Sequence, residues 1–110
     1  MKKKPNSIYV SGPITNTADH VRQFKEAVEY LKQQGRKPLD PLQIKPSQEM
    51  LSQKDEWNYY MKEAIKMLME ADAIYMLEGW EGSRGARIEH LLAQELNIAV
   101  YYASEDYKYV

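Results

Sequence analysis

The chain has no cysteine. That excludes disulfides and thiolate metal sites. Histidine is nearly as scarce: His20 and His90 are the only two, far apart and without a ligand pattern around either. No metal site and no cofactor are expected. No apolar run approaches the ~20 residues needed to cross a bilayer, so no membrane partner is expected. A surplus of charge is missing too. The 15 basic and 16 acidic side chains leave a formal net charge of -1. With no global field, a polymeric nucleic acid is not an expected partner. Lys2, Lys3 and Lys4 form the one basic cluster, and a solvated terminus accounts for it. The opening MKKKPN passes straight into SIYVSG, which is too short for the apolar region of a signal peptide and is followed by Gly12-Pro13. A cytoplasmic location is the expectation.

What is present can build a core. Of 110 residues, 44% are hydrophobic, enough for one domain, expected over residues 1–110. Residues 8–11 are short, apolar and β-favouring, and read as a buried first strand. A helix is expected over 18–34, with Val21, Phe24, Val28 and Leu31 at helical spacing. Asn16 or Thr17 can cap its start and Gly35 supplies a left-handed stop. Residues 36–39 carry a weak strand signal, and Pro38 has no N–H to donate, which fits an edge strand. Asp40-Pro41 closes that strand as a turn, and Pro46-Ser47 can start a short helix. A second long helix is expected over 55–70, its face marked by Trp57, Met61, Ile65 and Leu68. That wide, methionine-rich stripe packs on the core or on another subunit. A third strand over 73–77, a glycine turn over 79–85, a third helix over 86–96 ended by Asn97, and a fourth strand over 98–102 complete the chain.

The alternation of strand and helix predicts a parallel sheet with helices on both faces, a flavodoxin-like three-layer α/β/α sandwich. Right-handed crossovers favour strand order 2-1-3-4. Ligands bind such sheets outside the carboxyl ends of the strands, where strand order reverses. The loops after strands 1 and 3 flank that point. They read GPITN and EGWEGSRG, the glycine-bearing loops of the chain. Neither is a P-loop or a dinucleotide-binding turn. Ser83, Arg84, Gly85 and Arg87 offer a hydroxyl, a permissive backbone and two guanidinium groups at a helix start, which suits an anion; a plain helix cap with solvated arginines uses the same residues. Trp80 either folds onto the core, touches another subunit or stacks on a ligand ring. Tyr9 lies in strand 1, in the core or low in the cleft wall. Glu89 heads a helical face shared with Leu92, Ala93 and Leu96, at i, i+3, i+4 and i+7. An acid there is a partly solvated structural group or sits in a cleft, where a carboxylate beside an anomeric carbon can act as a nucleophile.

The pattern I-Y-V-S-G-P-I, then A-D-A-I-Y-M-L and G-W-x-x-S-x-G-A-x-x-E-x-x-x-A, resembles the nucleoside 2-deoxyribosyltransferase superfamily, which includes deoxynucleoside 5′-monophosphate N-glycosidases. The match is closest to a small branch with this G-W-x-x-S-x-G-A form, often phage-associated, and covers residues 8–100. The resemblance implies a small-molecule nucleotide or nucleoside as ligand. It implies that Glu89 attacks C1′ and displaces the base. Ser83 stands where the monophosphate hydrolases carry a phosphate-binding serine. By the same resemblance the loop from Gly12 to Asn16, with Pro13 and Ile14, lines the sugar-phosphate side, and Asp40 and Pro41 lie near the base. Tyr9, Trp80, Gly85 and Arg87, singled out above from the residues themselves, are the remaining candidates for binding. Subunits of that superfamily often complete each other's sites, so a homodimer or larger homo-oligomer is expected, with Tyr107 and Tyr109 as candidate contributors. One position departs from the pattern. Where the superfamily usually has an aspartate eight residues before Asp72, this chain has Ala64 beside Glu63. The activities implied are an N-glycosidase, a deoxyribosyltransferase or, if nothing replaces that aspartate, a non-catalytic nucleotide-binding module.

Overall fold

The computed structural model describes residues 5–14 and 18–104 of the chain. In chain order it contains β1 (Ser7–Ser11), α1 (Ala18–Gln33), β2 (Lys37–Leu39), α2 (Gln53–Met69), β3 (Ala73–Met76), α3 (Arg84–Glu95) and β4 (Ala99–Tyr102), with single 3-10 turns at Pro41–Gln43 and Trp80–Gly82. The sheet is parallel throughout, in the order β2-β1-β3-β4. This is the flavodoxin-like α/β arrangement expected from the strand and helix alternation.

The two-residue period of a strand explains the layers. On β1, Ile8 and Val10 point to one face and pack with Phe24, Ala27 and Leu31 of α1, alongside Ala73, Tyr75 and Leu77. Tyr9 points to the other face, where Ile74 and Met76 meet Ala64 and Leu68 of α2 and Ala86 and Ala93 of α3. So α1 covers one side of the sheet, and α2 with α3 covers the other. Left-handed residues stop two of the helices, α1 and α3. Gly35 has φ +76°, and the chain folds back so that the Arg36 N–H donates to the Leu31 carbonyl at 2.9 Å. Asn97 does the same work after α3 at φ 58°. Pro38 sits in β2 at the sheet edge, where its missing N–H costs nothing.

Three expectations are corrected. Pro46-Ser47 starts no helix. Asp40 instead accepts the Leu42 N–H at 2.9 Å with Pro41 in the first position, so the one turn forms earlier, and the Tyr59 hydroxyl pins the following segment by donating to the Lys45 carbonyl at 2.8 Å. Helix α2 begins at Gln53 because Ser52 caps it, accepting the Asp55 N–H at 3.2 Å. Its inward side is Ala64 and Leu68, while Trp57 stays 36% exposed. The buried row of α3 is Ala86, Glu89 and Ala93; Leu96 is 52% exposed because it is the C-cap, where the backbone has already left the helix. The readings of Asn16 and Thr17 as caps, of Lys2, Lys3 and Lys4, and of Tyr107 and Tyr109 lie outside the described residues.

Candidate functional site

Two strand ends meet at the reversal of strand order. The Leu77 N–H donates to the Ser11 carbonyl at 2.8 Å, extending the β1–β3 pairing by one bond. Gly12 follows at once, and a Cβ there would stand 2.9 Å from Leu77 Cβ. Only glycine lets the loop leave the sheet this close to its neighbour. After β3, Gly79 takes φ +88° and turns the chain back into the 3-10 turn and then α3. Ser83 caps α3, its hydroxyl accepting the Ala86 N–H at 3.2 Å. The first-turn N–H groups of Arg84 and Gly85 have no carbonyl upstream within the helix and remain available to an anion.

One turn further along α3, Glu89 reaches down to the sheet. The Tyr9 hydroxyl donates to one carboxylate oxygen at 2.6 Å, and the Ser11 hydroxyl donates to the other at 2.7 Å. Tyr9 and Ser11 are two residues apart on β1, so they share a face and can hold one carboxylate between them. Glu89 is only 4% exposed. Burial pushes its carboxyl above the ordinary value, against the hydrogen bonds of Tyr9 and Ser11, which favour the ionised form. Tyr9 is pushed well up by burial and by the charge of Glu89, so its hydroxyl stays a donor.

Glu89 forms part of the wall of a cavity of ≈ 650 Å³. Gly12 and Ile14 contribute from the loop after β1. Pro41, Leu42, Ile44 and Pro46 contribute from the segment after β2. One face of α2 forms a third wall, from Gln53, Glu56, Trp57, Tyr60, Met61 and Ala64. The start of α3 adds Ser83, Gly85 and Ala86. Met61 lies against Gly85, where a Cβ would come within 2.8 Å of its sulfur. No lysine or arginine lines the cavity among the described residues; Arg84 stands outside it, 4.5 Å over the Trp57 ring. Nor do the described residues hold a group of three or more side chains that could bind a metal.

The expected site residues separate into two sets. Glu89, Gly12, Ile14, Ser83 and Gly85 line one cavity. Tyr9 is fully buried and meets it only through Glu89. Pro13 lies against Gly79 rather than in the wall. Asp40 spends its carboxylate on the Leu42 N–H, and its neighbours Pro41 and Leu42 line the cavity instead. Arg87 turns to the Glu81 carbonyl at 2.8 Å. Trp80 folds back onto α3, its ring 4.2 Å from that of His90, which in turn meets the Tyr102 hydroxyl at 2.8 Å. Ala64 lines the cavity, while Glu63 faces away and pairs with Lys66 at 2.8 Å. The polar part of the α2 wall was missed. Its signal was present: Gln53, Glu56, Tyr60 and Ala64 fall at helical spacing on one face.

A parallel flavodoxin-like sheet with a buried carboxylate at its switch point defines the class. The fold is shared with a 2-deoxyribosyltransferase from the psychrotolerant bacterium Bacillus psychrosaccharolyticus, at a TM-score of 0.71 and 15% sequence identity, over 87% of this chain and 70% of that one. At that identity the likeness is one of fold. Residues 6–102 match the family described as Domain of unknown function (DUF4406), and the chain belongs to that family. No curated protein matches the chain.

Proposed function

We propose that the protein cleaves the N-glycosidic bond of a (deoxy)nucleoside 5′-monophosphate, with Glu89 as nucleophile. The observation that carries this reading is the Glu89 carboxylate, clamped by Tyr9 and Ser11 in the wall of a cavity at the switch point. The shared fold with a deoxyribosyltransferase supports it. A Glu89 oxygen attacks C1′, the C1′–N bond breaks, and its electron pair leaves with the base, which takes up a proton. Water then attacks C1′, frees the Glu89 carboxylate and loses its proton to solvent. If the nitrogen of a second base attacks instead of water, the same site is a transferase.

Ser83 is the residue for the phosphate. It lines the cavity, and its hydroxyl accepts from Ala86, which leaves its proton free to be donated. The Arg84 and Gly85 N–H groups lie beside it. Glu89 lies six positions beyond Ser83, roughly 9 Å at 1.5 Å per residue, which suits a sugar held between a phosphate and a nucleophile. Activity should rise with pH as Glu89 ionises, and the acid limb should lie above the usual carboxylate range because burial raises that group.

The test is release of free base from purified protein incubated with deoxy- and ribonucleoside 5′-monophosphates. Glu89→Gln should lower the rate at least ~10³-fold. No release from any common nucleotide would sink the proposal. A second reading, a nucleotide-binding module without chemistry, is favoured by Ala64, which leaves that part of the wall without an acid. Thermal stabilisation by nucleotides without base release is its signature.

A further inference from the structure

The α2 wall has its own chemistry. Gln53, Glu56, Trp57, Tyr60, Met61 and Ala64 follow one another at i, i+3, i+4, i+7, i+8 and i+11 and all line the cavity. The row is graded from inside to outside. Ala64 is buried, as Glu89 is, while Glu56 and Gln53 are exposed. From Ala64 to Glu56 the helix rises roughly 12 Å at 1.5 Å per residue. Between them stand the rings of Tyr60 and Trp57, and Arg84 covers the Trp57 ring at 4.5 Å. A nucleoside whose sugar meets Glu89 therefore lays its base along two aromatic side chains, with the far edge of the base toward Glu56 and Gln53.

That edge meets a carboxylate. The neighbouring acids of α2 are engaged: Asp55 accepts from the Ser52 hydroxyl at 2.9 Å, and Glu63 pairs with Lys66. Glu56 takes part in no ion pair among the described residues. A carboxylate only accepts, and its two oxygens best receive two parallel N–H groups. Guanine offers two adjacent donors, at N1 and N2. Adenine and cytosine set one amino group beside a ring-nitrogen acceptor, and thymine and uracil flank a single N–H with two carbonyls. Each of the latter presents a lone pair to Glu56. Gln53, one turn earlier, carries an amide N–H that can be donated to the guanine carbonyl.

We infer that Glu56 selects the base and that the base selected is guanine. This rests on the proposed function only in placing a nucleoside's sugar at Glu89. The experiment is isothermal titration of wild-type and Glu89→Gln protein with the four common deoxynucleoside 5′-monophosphates and their deoxynucleosides, beside the base-release assay. The guanine compound should bind roughly 10- to 100-fold tighter than the others. Glu56→Gln should erase that margin, Glu56→Asp should keep part of it, and affinity for the other bases should change little. Because Glu56 is exposed, unchanged melting temperatures will show that both variants fold. Equal binding of all bases, or a guanine margin that survives Glu56→Gln, overturns the inference even if base is released. Guanine-selective binding without base release upholds it and sinks the proposed reaction. No binding of any of these compounds overturns both.

Discussion

The two faces of the sheet are built from the same strands to opposite ends. On the α1 face, Ile8, Val10, Phe24 and Leu31 are all fully buried and apolar. On the face of α2 and α3, the same strand β1 supplies Tyr9 and Ser11 to a buried carboxylate. One face stabilises by removing apolar surface from water. The other gives up some of that gain to keep Glu89 out of water, held by only two donors. The difference teaches where the molecule's chemistry can lie, since an acid with a displaced pKa inside a cavity is a costly arrangement for mere packing.

The largest expected effect comes from the α1 face. Phe24→Ala should lower stability by about 3–5 kcal/mol through loss of burial and the cavity left behind, read as a shift in the urea midpoint. It should leave the titration of Glu89 where it was. Movement of that titration would break the separation between the faces.

Tyr9→Phe probes the other side and should cost about 1–3 kcal/mol, the range for a buried polar group that loses a partner. Because the Tyr9 hydroxyl favours the ionised carboxylate, its removal should push the Glu89 carboxyl further up, visible by NMR titration. A downward shift would contradict the assigned role of that bond.

A smaller effect of opposite sign is expected for the stability of Glu89→Gln. The folded carboxyl is raised above its unfolded value. Its burial therefore costs nothing below the ordinary carboxylate pKa, and the cost grows as pH rises to the raised value and is complete above it. Glu89→Gln should raise the melting temperature at neutral pH and have little effect in acid. A melting temperature that falls at neutral pH would mean that the ionised group stabilises the fold.

The smallest effect belongs to Asp72, at the other end of the sheet. Its carboxylate accepts the N–H groups of Asn6 at 3.0 Å and Ser7 at 3.2 Å, and these bonds lower its pKa. A lowered folded pKa gives stability that is present above the ordinary value and lost as pH falls through the folded one. Asp72→Ala should lower the melting temperature slightly at neutral pH, with the difference closing in acid. A constant difference across that range would show that charge is not involved.

Much of the architecture was legible before any coordinates. The strand and helix alternation, the edge position implied by Pro38 and the stops at Gly35 and Asn97 all rest on local rules, and strand order followed from crossover handedness. Of the residues that line the cavity, Ser83, Gly85 and the Gly12 loop were legible because glycine turns and caps announce helix starts, and Glu89 because it heads an otherwise apolar helical face. The α2 wall was not found. The apolar repeat of Trp57, Met61 and Ile65 reads as a stripe for the core or another subunit and masks the polar row of Gln53, Glu56 and Tyr60 beside it. Of the three readings open for Trp80, folding back onto the core is the one the structure shows; its partners, His90 and Tyr102, are ten and 22 positions on, and nothing local announces the stack.

The sequence by itself determined the order of elements, their ends, and that Tyr9 and Ser11 leave β1 on the side opposite Ile8 and Val10. Capping, glycine backbone freedom and the two-residue period act within a few residues, so a short window contains them. Only the tertiary structure decided that those two hydroxyls meet Glu89, about 80 positions later, and that Gln53 through Ala64 face it across a cavity. That convergence needs β1 paired beside β3 in one register and α3 packed back over both. The resulting burial, rather than any neighbour in sequence, is what displaces the pKa of Glu89.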